Sequence, residues 1–190
     1  MRLLEKGTLF KLILPMFSEQ ENGIVIYGLK IFKNLSKIND NMESTKLDSG
    51  IKILIKLFHD RNYYKITNLC IIALGNLCKQ NVLLKKIDEE NTANLQADLM
   101  ADAGEEKGCI FEKMVNRHLE KADGKTQTAI LQTFNFLTNL QNESIDDWLK
   151  DKFKEKMKDL LFEKRLLSKI VTCFVSLDKQ VAKESIGILM

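Results

Sequence analysis

The sequence predicts an all-α fold, a solenoid of about four stacked three-helix repeats, and three observations predict it. One helix pattern is written four times. With Asn76 of "ALGNLC" as marker, the residues ten, six and two before it are Ile66, Cys70 and Leu74, and Leu77 follows. From Asn34 the same offsets give Ile24, Gly28, Phe32 and Leu35; from Asn139 they give Ala129, Thr133, Leu137 and Leu140. A fourth copy runs through Val181, Ser185 and Leu189 and reaches Met190 where the asparagine would be next. Recurrence at a period of tens of residues marks a solenoid. Second, a single proline, Pro15, and nine glycines leave too few turn residues for an all-β chain of 190 residues. Third, 45% hydrophobic and 29% charged residues is the composition of a globular protein with a substantial core. Such a fold presents surface, which points to binding and not to chemistry.

The repeats fall at residues 1–40, 41–87, 88–142 and 143–190 of one continuous solenoid. In the first, residues 7–17 read as an amphipathic helix, "SEQENG" as its exit, and 24–38 as the long third helix. The second copy is the cleanest. Leu47 begins a short helix, Gly50 breaks it, and Ile51, Leu54, Ile55 and Phe58 give an i, i+3, i+4, i+7 face. "HDRN" then turns the chain into a long helix over 64–80. Markers Asn34 and Asn76 stand 42 residues apart, Asn76 and Asn139 63 apart, because an acidic insertion at 88–107 lengthens the third copy. Within it, 95–101 can form a first helix, and the rest buries little. The third copy resumes at Gly108 with a core stripe of Ile110, Phe111, Met114 and Val115; "KADGKTQ" turns it into a last helix over 128–140. In the fourth, Trp148, Leu149, Phe153, Met157, Leu160 and Leu161 line one helix face, with Asp146 or Asp147 as N-cap. A second amphipathic run, 166–174, leads through "SLDKQ" to the final helix.

A glycine break, an amphipathic helix, a polar turn and a long helix ending "ALxNL" together resemble the armadillo repeat, which shades into the related HEAT class. "GIKILIKLF" (50–58) and "ITNLCIIALGNLC" (66–78) carry the resemblance best, and it covers the chain apart from 88–107. It implies a right-handed α-solenoid, incomplete at both ends, whose third helices line a concave groove. In that family the marker asparagine hydrogen-bonds the backbone of an extended bound peptide. Asn34, Asn76 and Asn139, with Lys30, Gln80 and Asn135, are accordingly the candidate protein-binding groove. The alternative is that each asparagine caps or bridges backbone groups between repeats. Import adaptors of this class carry a tryptophan four residues before the asparagine. Here those positions are Lys30, Ile72 and Asn135, and a lysine there repels a basic signal peptide, so the import-receptor reading is rejected. The small residue shared by the copies (Gly28, Cys70, Thr133, Ser185) is expected where helices cross closely.

Other chemistry lacks its residues. A net charge of +3 is too balanced to imply nucleic acid or membrane as partner. Only four of the 29 basic residues are arginine, the side chain suited to bidentate phosphate recognition. Lysine and asparagine, both with A/T-rich codons, record genome composition more than function. Lysines 150, 152, 154, 156 and 158 are interleaved with Asp151, Glu155 and Asp159, which makes a solvated face. Trp148 reads as core, with a partner anchor as the other reading. Cys70, Cys78, Cys109 and Cys173 form no CxxC pair. Cys70 and Cys78 lie about 12 Å apart along one helix, too far for a disulfide, and read as small buried hydrophobes in a reducing compartment. His59 and His118 end second helices without further ligands. Phosphate-loop, dinucleotide and hydrolase-elbow motifs are missing. No enzyme activity, cofactor or metal is expected, and neither a signal peptide nor a membrane span is evident.

The apolar "SIGILM" end lacks the polar capping repeat of a closed solenoid. The chain is therefore expected to continue into further repeats or to have that end covered in a hetero-complex, and alone to be a poor monomer. The expected function is a scaffold or adaptor, a structural subunit of a larger assembly in the cytoplasm or nucleus, with cytoskeleton or cilium as settings such solenoids serve. The alternative is an armadillo-type cofactor that promotes nucleotide release from a heat-shock chaperone.

Overall fold

The computed structural model describes residues 12–37, 46–60, 63–79, 110–139, 147–162 and 166–189. Every regular element among them is helical. The chain divides into two compact units, Met1–Leu83 and Leu84–Met190, each considered by itself.

The first unit opens with a 3-10 turn, Leu14–Ser18, with Pro15 in its first turn, where a missing N–H is least missed. Three helices follow: α1 (Asn22–Leu35), α2 (Lys46–Asp60) and α3 (Tyr64–Lys79). The expected end of α1 at residue 38 falls instead at Leu35. Ser36 explains it: its N–H bonds the Phe32 carbonyl at 2.8 Å and its Oγ donates to the Lys33 carbonyl at 2.8 Å, closing the last turn. The expected break at Gly50 is also corrected, because α2 runs through it unbroken. Gly50 is instead a site of close approach. A Cβ there would lie 2.8 Å from the Phe32 ring of α1, and the bare backbone lets the two helices cross. Gly28 plays the same part against the 3-10 turn, where a Cβ would meet Phe17 at 3.0 Å and Met16 at 3.1 Å.

Packing in this unit follows one rule. Third helix lies on third helix (α1 on α3), and second on second (the 3-10 turn on α2). Helix α3 is buried along two flanks as well as its centre. Ile66, Cys70, Leu74 and Leu77 are buried, and so are Thr67, Ile71 and Cys78, which is why its sequence reads as almost continuous apolar residues.

The second unit repeats the rule. Helix α4 (Ile110–Lys113) passes directly into a π-helical turn, Met114–Leu119. Then come α5 (Gly124–Thr138), α6 (Asp147–Phe162), α7 (Leu166–Phe174) and α8 (Lys179–Leu189). The π turn has a packing reason. In an α-helix, Leu119 would point about 140° away from Met114. Hydrogen bonding across five residues aligns the two, and both are buried, with Val115. Helix α5 starts at Gly124, earlier than the expected 128, because Asp123 caps it: its Oδ1 accepts the Thr126 N–H at 2.8 Å. Asp178 caps α8 through the Gln180 and Val181 N–H groups at 2.9 and 3.3 Å.

Again third helices pack together (α5 with α8) and second helices together (the π turn with α7), while α6 packs on α5. Lys169 of α7 donates to the Asn116 carbonyl of the preceding copy at 2.9 Å. Phe153, Met157, Leu160 and Leu161 of α6 are buried as its pattern requires. The four small repeat positions, Gly28, Cys70, Thr133 and Ser185, are all buried. The two hydroxyls turn back onto their own helices, Thr133 to the Ala129 carbonyl at 2.7 Å and Ser185 to the Ala182 carbonyl at 2.8 Å. The expected helix at 95–101, the acidic insertion 88–107, Gln80, Cys109 and the Trp148 side chain lie outside the described residues.

Candidate functional site

The third helices carry one strip each at the same repeat positions, exposed to different degrees. Residues seven and four before the marker asparagine stack with it at i, i+3, i+7 on the side opposite the core. In α1 the strip is Tyr27, Lys30 and Asn34, with Ile31 beside it. Tyr27 is 64% exposed and Ile31 41%. The Lys30 ammonium lies 5.3 Å from the Tyr27 ring centroid, a cation–π pair that holds both side chains on the surface. Asn34 is exposed beyond them.

In α3 the strip is Leu69, Ile72 and Asn76, all half-buried. Asn76 has a defined structural role. Its Nδ2 donates to the Lys33 carbonyl at 3.2 Å and to Ser36 Oγ at 3.1 Å, tying α3 to the end of α1. Both amide hydrogens are engaged in this bridge. Asn76 therefore acts between repeats, in the manner of the alternative reading of the marker asparagine.

In α5 the strip is Gln132, Asn135 and Asn139. Asn139 folds back on its own helix, its Nδ2 donating to Asn135 Oδ1 at 2.8 Å and to the Asn135 carbonyl at 3.1 Å. Gln132 donates to Glu184 of α8 at 2.9 Å, and Gln180 donates to the same carboxylate at 2.6 Å. Gln132 and Glu184 occupy the same repeat position in successive copies. So do Asn135 and Gly187, where a Cβ on Gly187 would lie 2.7 Å from Asn135 Nδ2. The copies thus stack in register.

The candidate asparagines do not act alike. Asn34 is exposed, Asn76 is a bridge, and Asn139 is held by its own last turn. Tyr27 and Ile31 were missed by attention to the asparagine and the residue four before it, although their i, i+4, i+7 spacing to Asn34 was there to be read. No polar partner in the sequence pattern singled out Ser36, on which the Asn76 bridge depends.

Among the described residues the thiols Cys70, Cys78 and Cys173 are buried and held protonated. Burial raises the Cys70 pKa far above its ordinary value and pushes Cys78 up to about 12, and it raises Cys173 as well. Burial also lowers the pKa of His118, helped by Arg117 and Lys121. Among the described residues no group of three or more His, Cys, Asp or Glu side chains could hold a metal ion, and no helix is long and apolar enough to cross a membrane.

No family model matches the chain, and no curated protein matches it. Among solved structures it is similar to a designed armadillo repeat protein in complex with the peptide (KR)4, at 14% identity over 96% of this chain and 81% of that one, TM-score 0.47. It is also similar to an engineered protein (14% identity, 95% and 77% coverage, TM-score 0.48) and to a further designed armadillo repeat protein (14%, 96% and 81%, TM-score 0.43). With third helix on third helix and second on second in each unit, the described residues form an all-α fold of stacked helical repeats.

Proposed function

We propose that the chain is a non-enzymatic protein-interaction scaffold or adaptor, a structural subunit of a larger assembly, that takes up its partner on the exposed strip of its third helices. The observation that carries this reading is the surface of α1. An aromatic ring, a cation, an aliphatic side chain and an amide stand side by side there, all four exposed. Aromatic anchors next to hydrogen-bonding groups are the composition of binding hot spots. The partner is a protein segment, extended or helical, that meets Tyr27, Lys30 and Asn34 on α1. Lys30 disfavours a basic segment and suits one that is neutral or acidic. Free buried thiols at Cys70, Cys78 and Cys173 suit a reducing compartment such as the cytoplasm.

The test is affinity purification of the tagged chain from its native cells, with mass spectrometry, comparing wild type with Tyr27→Ala/Lys30→Glu/Asn34→Ala. Circular dichroism first establishes that the variant is folded. Loss of a stoichiometric partner from the folded variant supports the reading. An unchanged set of partners overturns it.

A further inference from the structure

The two third helices of the first unit carry charge of one sign. Helices α1 and α3 together hold Lys30, Lys33, Lys65 and Lys79 and no carboxylate. The carboxylates that precede α1, Glu19 and Glu21, stand at its N-terminal end, where the helix dipole favours them.

The placement of these cations follows from helical spacing. Lys65, Leu69, Ile72 and Asn76 recur at i, i+4, i+7 and i+11 and so share one stripe of α3, which Lys79 extends by a further turn. Lys65 and Lys79 are exposed at its two ends, about 21 Å apart along the axis. Between them Leu69 and Ile72 are half-buried and keep apolar surface open to solvent. On the neighbouring α1 the same stripe carries Tyr27 with the Lys30 ammonium over its ring. Asn76 ties the two helices together, so the two stripes form one surface. It has an apolar floor of Tyr27, Leu69 and Ile72 and a cationic border of Lys30, Lys65 and Lys79.

This stripe is open by its place on the helix. In α5, on which the next third helix is packed, Asn139 at the same position is exposed and Gln132 and Asn135 keep part of their surface.

Resting on the reading of this face as a binding surface, we propose that its partner is an acidic protein segment, with carboxylates flanking an aliphatic or aromatic side chain. The carboxylates meet Lys30, Lys65 and Lys79, and the apolar side chain covers Leu69 and Ile72 beside Tyr27. Charge complementarity selects the acidic segment. The apolar floor selects a protein over a nucleic acid, whose phosphates gain nothing from leucine and isoleucine and are better met by arginine.

Selection from a displayed library of random peptides, about a dozen residues long, on the purified full chain tests this. The enriched peptides should carry more Asp and Glu than Lys and Arg, around Leu, Ile or Phe. The most enriched peptide, labelled with fluorescein, is then titrated by anisotropy. Folded Lys30→Glu/Lys65→Glu, checked by circular dichroism, should bind it at least about tenfold more weakly. Lys52→Glu/Lys56→Glu, the same charge change on α2, should bind it as wild type does. Enrichment of neutral or basic peptides, or of none, would overturn the proposal, and this outcome is read on wild type alone. Equal binding by the two variants would overturn it as well. So would a fluorescein-labelled oligouridylate that binds more tightly than the peptide and is lost with Lys30→Glu/Lys65→Glu, which would assign the face to nucleic acid. These assays contain no cellular partner, so a failed charge preference is separate from a failed scaffold reading, which the affinity purification decides.

Discussion

At the scale of the residue, three marker asparagines share one repeat position and have three environments. Asn76 joins two helices through both amide hydrogens, whereas Asn34 is open to solvent. Replacing Asn76 with Ala should therefore destabilise the fold by about 1–2 kcal/mol, the net worth of two hydrogen bonds, while Asn34→Ala should leave the urea midpoint unchanged. Equal effects would mean that the bridge does not form. Cys70 and Cys78, buried and held protonated, should resist a thiol reagent in the native protein and react on unfolding; rapid native labelling of either would contradict their burial. His118 gives a pH dependence of definite sign. Its folded pKa lies below the ordinary 6.5, so the unfolded chain takes up the proton first as pH falls. The stability that favours the neutral ring is complete above 6.5 and is lost as acidification proceeds towards the folded value. Going from neutral to mildly acid pH should lower the thermal midpoint of wild type more than that of His118→Gln.

At the scale of the element, spacing and closeness decide where helices run. Gly50 shows how a composition cue misleads. Glycine has poor helix propensity, and a short apolar run follows it, so a break is the natural reading. The buried Phe32 ring overrides that preference by requiring a position without a side chain. Gly28 answers to Phe17 in the same way. Gly50→Leu and Gly28→Leu should each overpack the crossing and destabilise by about 1–3 kcal/mol, read as a lower urea midpoint with unchanged slope. A neutral Gly50→Leu would show that the crossing has room. The π turn at Met114–Leu119 was not legible because a periodicity search assumes a fixed turn. Met114 and Leu119, five apart and both apolar, were its only trace.

At the scale of the whole molecule, the repeat was legible because stacking imposes it. A small residue must recur wherever helices cross, and apolar residues must recur on the buried flanks, so Gly28, Cys70, Thr133 and Ser185 align in sequence and are all buried. The face left to solvent carries no such constraint. Its residues differ from copy to copy (Tyr27, Leu69, Gln132, Glu184 at one position), and only coordinates distinguish the exposed Asn34 from the bridging Asn76. The binding claim rests on this variable face, and site-specific photo-cross-linking in native cells tests it most directly. A cross-linker replacing Tyr27 should yield a discrete adduct with another protein, and one replacing Lys158, exposed on α6, should not. Adducts from position 158 with none from position 27 would contradict a partner on the third-helix face.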